Sequence, residues 1–400
     1  MPRYGKHPVI RMQRNPRNKR SFAGFVTAQN LANQHIWSHV QHAQPRSVDQ
    51  TFVNIQIPQK HHRPTMTAEP PVAPSPLARM LQTTAVACFI FIWLILPIIT
   101  SWLPIYLLFT PLAPFVIAYG AWFAYDFRQP AQGSRPCQWM RKLRIWKHYA
   151  DYFPMKLVKT ADLDPSKNYI LGSHPHGVFC CGVFGNICTD ATGMDEKFPG
   201  LTPYVLTLNG QFYFPLRREF GMSVGGVESS RKSLRYLLSN SKKGRMVTIV
   251  LGGAEEVLDA HHGQCDLNLK SRKGFCRFAL KYGADLVPMF HFGENDLYYQ
   301  SENPRGSPLR LLQSAIKKAC GFCPPMVFGN SLFPGRSGVL PRRSPITTVI
   351  GAPVQVEQKD EPTEEDIDQL HSRYCQALEG LYETHKKDYG VEDNVKLNIL

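Results

Sequence analysis

No Asn-x-Ser/Thr sequon occurs anywhere in the 400 residues, and the ten cysteines follow no framework spacing. Both absences argue against an oxidising compartment and predict a catalytic body facing the reducing cytosol. No apolar run follows the charged opening residues, so a secretory signal is not expected. The Arg-rich, acid-poor start resembles a transit peptide, but it is broken by prolines, and the membrane segment behind it is a sufficient address. One C-x-x-C is present, Cys320-Gly321-Phe322-Cys323. Pro324 and Pro325 follow at once and deny it the helix of a redox motif, and no second pair completes a zinc set. It reads as two thiols in a loop. No internal repeat is seen.

Acids are scarce at one end. Through Arg79 there are eleven Lys and Arg against Asp49 and Glu69, whereas the whole chain carries a formal net charge of +15. Residues 1–79 therefore form a basic arm without apolar periodicity, a composition expected to be disordered. Next to a membrane segment its charge fits anionic lipid better than nucleic acid, and no nucleic-acid partner is expected.

From Met80 to Tyr125 charge is absent altogether. A spanning helix needs about 20 apolar residues, so there is room for two crossings. Prolines 97, 104, 111 and 114 interrupt the stretch, which permits either two spans or a hairpin that dips in and returns. Basic residues on both sides, Lys60, Arg63 and Arg79 before and Arg128, Arg135 and Arg141 after, place both flanks on the cytosolic side.

Beyond residue 126 the pattern is that of a globular domain reaching residue 400. Short β-rich runs near 169–171, 204–208, 246–251, 286–290 and 347–350 alternate with helical patterns near 231–239 and 273–282. Such alternation predicts an α/β domain, a central mixed sheet flanked by helices. Thr363 with Asp366 makes a capping-box pattern, and Ile367, Leu370, Tyr374, Leu378, Leu381 and His385 then lie on one helical face. That helix is expected to pack rather than to react.

Candidate chemistry gathers at strand ends. His174-Pro175-His176-Gly177 follows a short apolar strand, with Pro175 fixing its own φ and Gly177 allowing a sharp turn, so an imidazole sits on a stiff corner. Histidine titrates near neutrality, as a general base should. Leu251-Gly252-Gly253-Ala254-Glu255-Glu256 follows another strand and offers carboxylates that could orient a histidine or an acceptor hydroxyl. Taken alone it also reads as a solvated turn. Ser271-Arg272-Lys273-Gly274-Phe275 sets cations at a helix start, where phosphate groups are held. Phe292-Gly293-Glu294 is a tight corner that could line the same cleft.

With these motifs on the page the chain resembles the diacylglycerol acyltransferase 2 family, which includes the monoacylglycerol and wax-alcohol acyltransferases. The likeness rests on Tyr152-Phe153-Pro154, His174-Pro175-His176-Gly177, Gly252-Gly253-Ala254 with Glu256, and Arg272-Lys273-Gly274-Phe275 running through Ala279, Gly283 and Val287-Pro288 to Phe292-Gly293-Glu294 and Tyr298. The resemblance implies an integral, multi-pass endoplasmic reticulum protein able to reach lipid droplets. It moves a fatty acyl group from coenzyme A to a lipid hydroxyl: diacylglycerol first, 2-monoacylglycerol or a wax alcohol as alternatives. Its partners would be acyl-CoA, the acylglycerol and membrane lipids, and a homo-oligomer is compatible with it. An acyl thioester is already activated, so the enzyme must deprotonate the acceptor, stabilise the oxyanion and hold both substrates. His176 or His174 is then the base and Glu256 orients it or the acceptor. Arg272, Lys273 and Arg231 hold coenzyme A phosphates, and neither a metal nor a cofactor beyond the acyl-CoA co-substrate is required.

Two positions depart from what related enzymes have. Glycerolipid acyltransferases place Asp five residues after the catalytic His, where Phe179 and Cys181 stand here, and the lipid-binding Phe-Leu-x-Leu pattern is replaced by Phe91-Ile92-Trp93-Leu94. A rival of another class is a serine hydrolase, since Gly221-Met222-Ser223-Val224-Gly225 matches the nucleophile-elbow pattern with His291 downstream. An elbow follows an apolar strand and opens a helix, whereas Leu216-Arg217-Arg218-Glu219-Phe220 precedes this one. A non-enzymatic droplet coat protein would leave the histidine and glutamate motifs idle.

Overall fold

The computed structural model describes residues 74–239, 242–320, 323–331 and 337–400. The expectation for the basic arm lies outside them up to residue 73, and that for Cys320-x-x-Cys323 does so in part.

The charge-free stretch begins as helix α1, Pro76–Leu107, capped by Ser75, whose Oγ accepts from Ala78 N at 3.2 Å. A wider turn at Phe91–Ile95 precedes Pro97, which has no N–H to give to the carbonyl four residues back. The first half of α1 belongs to the protein core. Ala85, Val86, Phe89 and Ile90 are buried, and the Phe89 ring lies 5.1 Å from Tyr149 and 4.7 Å from Phe184. The second half is largely bare: Trp102 is 70% exposed and Tyr106 67%. Helix α2, Ala113–Tyr125, continues this surface with Phe115 73% exposed. Among the described residues only α1 is long and apolar enough to cross a membrane. Where two spans or a hairpin were expected, the stretch forms one long apolar helix, its first half embedded in the domain, and a 13-residue apolar helix after it.

Helix α3, Arg144–Tyr152, packs under α1 and leads into the sheet. Its strands are β1 Lys156–Lys159, β2 Tyr169–His174, β3 Thr202–Thr207, β4 Gly226–Glu228, β5 Arg245–Val250, β7 Asp285–Phe292 and β11 Thr347–Ile350, in the order β1-β11-β7-β2-β5-β3-β4. From β7 to β4 all are parallel, while β11 runs antiparallel to β7 and parallel to β1. The α/β expectation with a mixed sheet holds. All five expected strands are present. Strands β1 and β4 were not foreseen, since β1 is a Leu-Val pair bracketed by lysines and β4 has only three residues. A two-residue pair joins β6 Asp266–Leu267 to β12 Asn398–Ile399, and a small antiparallel sheet is built from β8 Tyr299–Gln300, β9 Val327–Asn330 and β10 Ser337–Gly338.

Apolar side chains cover both faces of the main sheet. One face carries α1, α3 and the helical segment 181–188. The other carries α4 Arg231–Ser239, α6 Gly274–Tyr282 and α8 Glu364–His385, with a short helix α5, Ala254–Leu258, set at the sheet edge. A sheet covered on both faces explains why β2 and β7 are buried along their whole length. Gly283 ends α6 at φ +61, and the Thr363–Asp366 capping box opens α8 with both reciprocal bonds made. Gly172 in β2 exists because α8 crosses it: a Cβ there would collide with the Tyr374 hydroxyl and Leu251.

These contacts rank two substitutions. Thr363→Ala removes an exposed cap worth about 1 kcal/mol. It should lower the thermal midpoint of the purified protein only slightly. Gly172→Ala must displace Tyr374 from a buried strand and should lower the midpoint, or the folded yield, far more; calorimetry of both variants checks the order.

Candidate active site

Strands β7, β2 and β5 are parallel neighbours, so their C-terminal ends lie side by side, where α/β sheets collect ligands. Three sequence motifs leave from those ends. His174-Pro175-His176-Gly177 follows β2, Gly252-Gly253 and α5 follow β5, and Gly293-Glu294 follows β7. The loop after β2 is therefore flanked by Glu256 on one side and Glu294 on the other.

Both carboxylates act on the backbone of that loop. Glu256 Oε2 accepts from His176 N at 3.1 Å and Oε1 from Asn268 N at 2.8 Å. Glu294 accepts from Cys181 N and Gly182 N, each at 2.7 Å, and so caps the helical segment 181–188. Glycines make the approach feasible. Gly177, at φ +59, has Glu294 Cγ 2.5 Å from where a Cβ would stand, and a Cβ on Gly252 would run into the Glu256 carboxylate. Burial raises both acids to about 7, although their amide donors pull the other way. Glu256 thus meets the amide of His176 and not its ring, so of the two roles expected of it, orienting the histidine or the acceptor, the first would be exerted through the loop backbone.

The two histidines have different surroundings. His174 is fully buried, its Nε2 is 3.0 Å from the Tyr374 hydroxyl, and burial depresses it to about 3. His176 is partly exposed. Its Nδ1 lies 3.1 Å from the Gly177 carbonyl, which can only accept, so Nδ1 carries the proton and Nε2 keeps its lone pair. Burial lowers its pKa below the usual value, and the Cys180 thiol packs on the ring 3.4 Å from Nδ1. Tyr374 is the point at which α8, expected only to pack, reaches the site.

The basic candidates are spread along the same edge. Arg272 is partly buried and lies in the field of Glu256, which favours the charged form of each. Lys273 forms an ion pair with Asp368 of α8 at 2.7 Å, a half-exposed contact that a phosphate could exchange for little cost. Arg231 is exposed at the first residue of α4, beyond the end of β4 and two strands from β5. Glu255 faces away from the histidines and pairs with Arg310 at 3.0 Å.

Sequence reading missed three partners. Glu294 was noticed only as a lining residue, Tyr374 only as part of the packing face of α8, and Cys180 not at all. A repeated strand-Gly-Glu ending after β5 and β7 was the available signal for Glu294, but nothing local says that β7 lies beside β2. For Tyr374 the signal was a phenol on an otherwise apolar face, since a buried hydroxyl needs a partner.

Ser223 is no nucleophile elbow. It is the last residue of the helix Arg217–Ser223, its Oγ donates to Phe220 O at 2.7 Å, and it precedes β4, at the opposite end of the sheet from the strand-end cluster. Both ring nitrogens of His291 are engaged, with Ser173 at 2.8 Å and Thr348 at 2.7 Å.

The sequence has relatives over most of its length. A model of the diacylglycerol acyltransferase family matches residues 105–400. The Bos taurus protein named 2-acylglycerol O-acyltransferase 1 is 44% identical over 322 residues, which cover 80% of this chain and 96% of that protein. Danio rerio diacylglycerol O-acyltransferase 2 is 42% identical over 340 residues, 85% of this chain and 93% of its own length. Homo sapiens 2-acylglycerol O-acyltransferase 3 is 41% identical over 336 residues, 84% of this chain and 98% of its own. A match spanning the strand-end histidines, both glutamates and the capped C-terminal helix means that this chain belongs to the diacylglycerol acyltransferase family.

Proposed function

We propose that the chain is an acyl-CoA-dependent O-acyltransferase that esterifies diacylglycerol to triacylglycerol, with His176 as the general base. The observation that carries the assignment is the 3.1 Å contact of Nδ1 with the Gly177 carbonyl, an acceptor that favours the Nδ1–H tautomer and so leaves the lone pair on Nε2 of a partly exposed residue. His174 has no such opening, being enclosed and bonded to Tyr374. In the reaction Nε2 takes the acceptor hydroxyl proton as the oxygen attacks the thioester carbonyl. The tetrahedral intermediate then expels the coenzyme A thiolate, which receives that proton. Glu256 and Glu294 hold the loop, and Arg272, with Lys273 and Arg231 further out, faces the coenzyme A phosphates. Relatives named for 2-acylglycerol match as closely as those named for diacylglycerol, so 2-monoacylglycerol is the second acceptor in this reading.

The membrane reading follows from lengths. Once the first half of α1 is assigned to the core, the bare segments Leu96–Leu107 and Ala113–Tyr125 hold 12 and 13 residues. At 1.5 Å per residue each reaches roughly 20 Å, short of the ~30 Å hydrocarbon layer. A hairpin that dips into one leaflet of the endoplasmic reticulum and returns keeps both termini cytosolic, and the same monotopic shape suits a lipid droplet. Protease added to sealed microsomes should remove tags from both ends, whereas protection of one tag alone would mean an odd number of crossings.

His176→Ala should reduce acyl transfer by roughly 10² to 10⁴-fold at unchanged abundance. Ser223→Ala should be mild. His174→Ala orphans Tyr374 in a buried site and should cost folded protein more than turnover per molecule. Microsomes supplied with labelled acyl-CoA and diacylglycerol, monoacylglycerol or a long-chain alcohol read all three variants, and a product from the alcohol alone would overturn the acceptor assignment.

The pH dependence has a definite sign. His176 must be neutral to act, and burial moves its titration below the usual range, so that limb lies on the acid side of 6.5. Glu256 ionises near 7 and its negative charge favours the imidazolium that forms during transfer. Activity should climb as pH rises through about 7 in the parent, and Glu256→Gln should lower the plateau and remove this upper step.

A further inference from the structure

Helix α7, Pro308–Cys320, is built inside out. Arg310 and Gln313 face inward, 4% and 2% exposed, while Leu311 and Leu312 are 61% and 59% exposed and Leu309 and Ile316 are half-buried. In a helix that meets only water the burial would be reversed. The rotation is fixed by bonds: Arg310 pairs with Glu255 and, at 2.8 Å, with Asp259, and Gln313 bonds to Asn303 and to the Pro324 carbonyl. The leucines cannot turn inward without breaking them. The small sheet shows the same bias, since Tyr299 and Phe328, cross-strand partners, are about half exposed, and Val339 beside β10 is 60% exposed.

From these surfaces we infer a second, shallow membrane contact in which α7 and the β8–β9–β10 sheet rest on the lipid bilayer surface beside the exposed N-terminal turns of the apolar helix α1. Continuity with α1 identifies the occupant as lipid. Arg343, two residues beyond Pro341, donates to the Arg79 carbonyl at 3.2 Å and to Thr83 Oγ1 at 2.9 Å, which fastens this region to the first turns of α1. There Leu77 and Met80 are themselves exposed. Charge and aromatic placement agree: the Arg342 guanidinium lies over the Tyr299 ring, 4.3 Å from its centroid, an amphipathic pair suited to the headgroup boundary. Lys318 is exposed one helical face along from Leu311, at the i+7 position, where anionic headgroups would meet it.

Such a contact bears on the site. Arg310 holds Glu255 and Asp259, which bracket Glu256, and β8 begins five residues after Glu294. Both loop-holding carboxylates are therefore attached to elements that would sit on the lipid, and the mouth of the site would be kept at the surface from which a hydrophobic acceptor arrives.

The inference rests on the reading that α1 and α2 enter the membrane, and the test separates the two. The full chain is reconstituted in phosphatidylcholine/phosphatidylserine vesicles with shallow doxyl-labelled lipid or with aqueous iodide, and the emission added by Phe328→Trp is read against the parent. Emission lost with Trp102→Phe reports the hairpin in the same samples. Expected is quenching by lipid and not by iodide at both positions. Iodide quenching at position 328 with lipid quenching of Trp102 would overturn the platform and leave the hairpin standing. Protection from both quenchers that varies with the protein-to-lipid ratio would mean that a second copy covers this face. Iodide quenching at both positions would refute the hairpin and the platform together. As a functional counterpart, Leu311→Glu with Leu312→Glu should slow esterification of a vesicle-borne acceptor about tenfold, with a short-chain acceptor in detergent turned over as by the parent. Equal rates on the vesicle-borne acceptor would contradict a lipid contact.

Discussion

Two buried carboxylates grip one loop through its backbone. Glu256 takes the amide of His176 and Glu294 takes those of Cys181 and Gly182, so residues 176–182 are held from both flanking strands by bonds that do not depend on side-chain rotamers. Charge-assisted bonds of this kind contribute about 1.5–3 kcal/mol each. They nevertheless fail to offset the loss of water, because both acids still titrate near 7 rather than 4.5, a residual cost of roughly 3 kcal/mol apiece. A fold that retains two such groups side by side is spending stability on geometry, which is where functional sites are found. Glycines at 177 and 252 are the steric condition for it.

The apolar helix α1 and the candidate site share one support. Phe89 and Ile90 of α1 pack with Tyr149, Phe153 and Phe184, and Phe184 belongs to the helical segment whose first amides Glu294 caps. The membrane segment is consequently not a tether joined to an independent enzyme. Its first half forms one layer of the domain, and the active loop is one residue shell away. An acyltransferase whose acceptor never leaves the lipid has a physical reason to be built this way: the base must work at a fixed depth relative to the membrane surface.

Local signals reached most of the elements but few of their neighbours. Apolar runs ended by glycine or proline located β2, β3, β5, β7 and β11, and the Thr363–Asp366 pattern placed the start of α8 correctly. The same punctuation singled out His176 and Glu256, since residues that leave a strand end are available for chemistry. Strand order was not legible. It alone puts β7 against β2, and with it Glu294 against Gly177. Nor could composition separate a phosphate-binding lysine from one paired across helices, as Lys273 is with Asp368. That the first half of α1 lies in the core was not legible, because a charge-free stretch looks the same whether it faces lipid or lies half inside a core. Helix α7 was not foreseen, and only the ion pairs of Arg310 show which of its sides is inward.

If the two glutamates matter only because they hold His176 in place, their removal should cost nothing once the imidazole is gone. Single-turnover acyl transfer in the parent, in Glu256→Gln/Glu294→Gln, in His176→Ala and in the combined variant measures this coupling. The expected result is a large loss in the glutamate pair and in the histidine variant, with the combined variant no slower than His176→Ala alone. Fully additive losses would contradict it, because the carboxylates would then act on the substrates independently of the histidine.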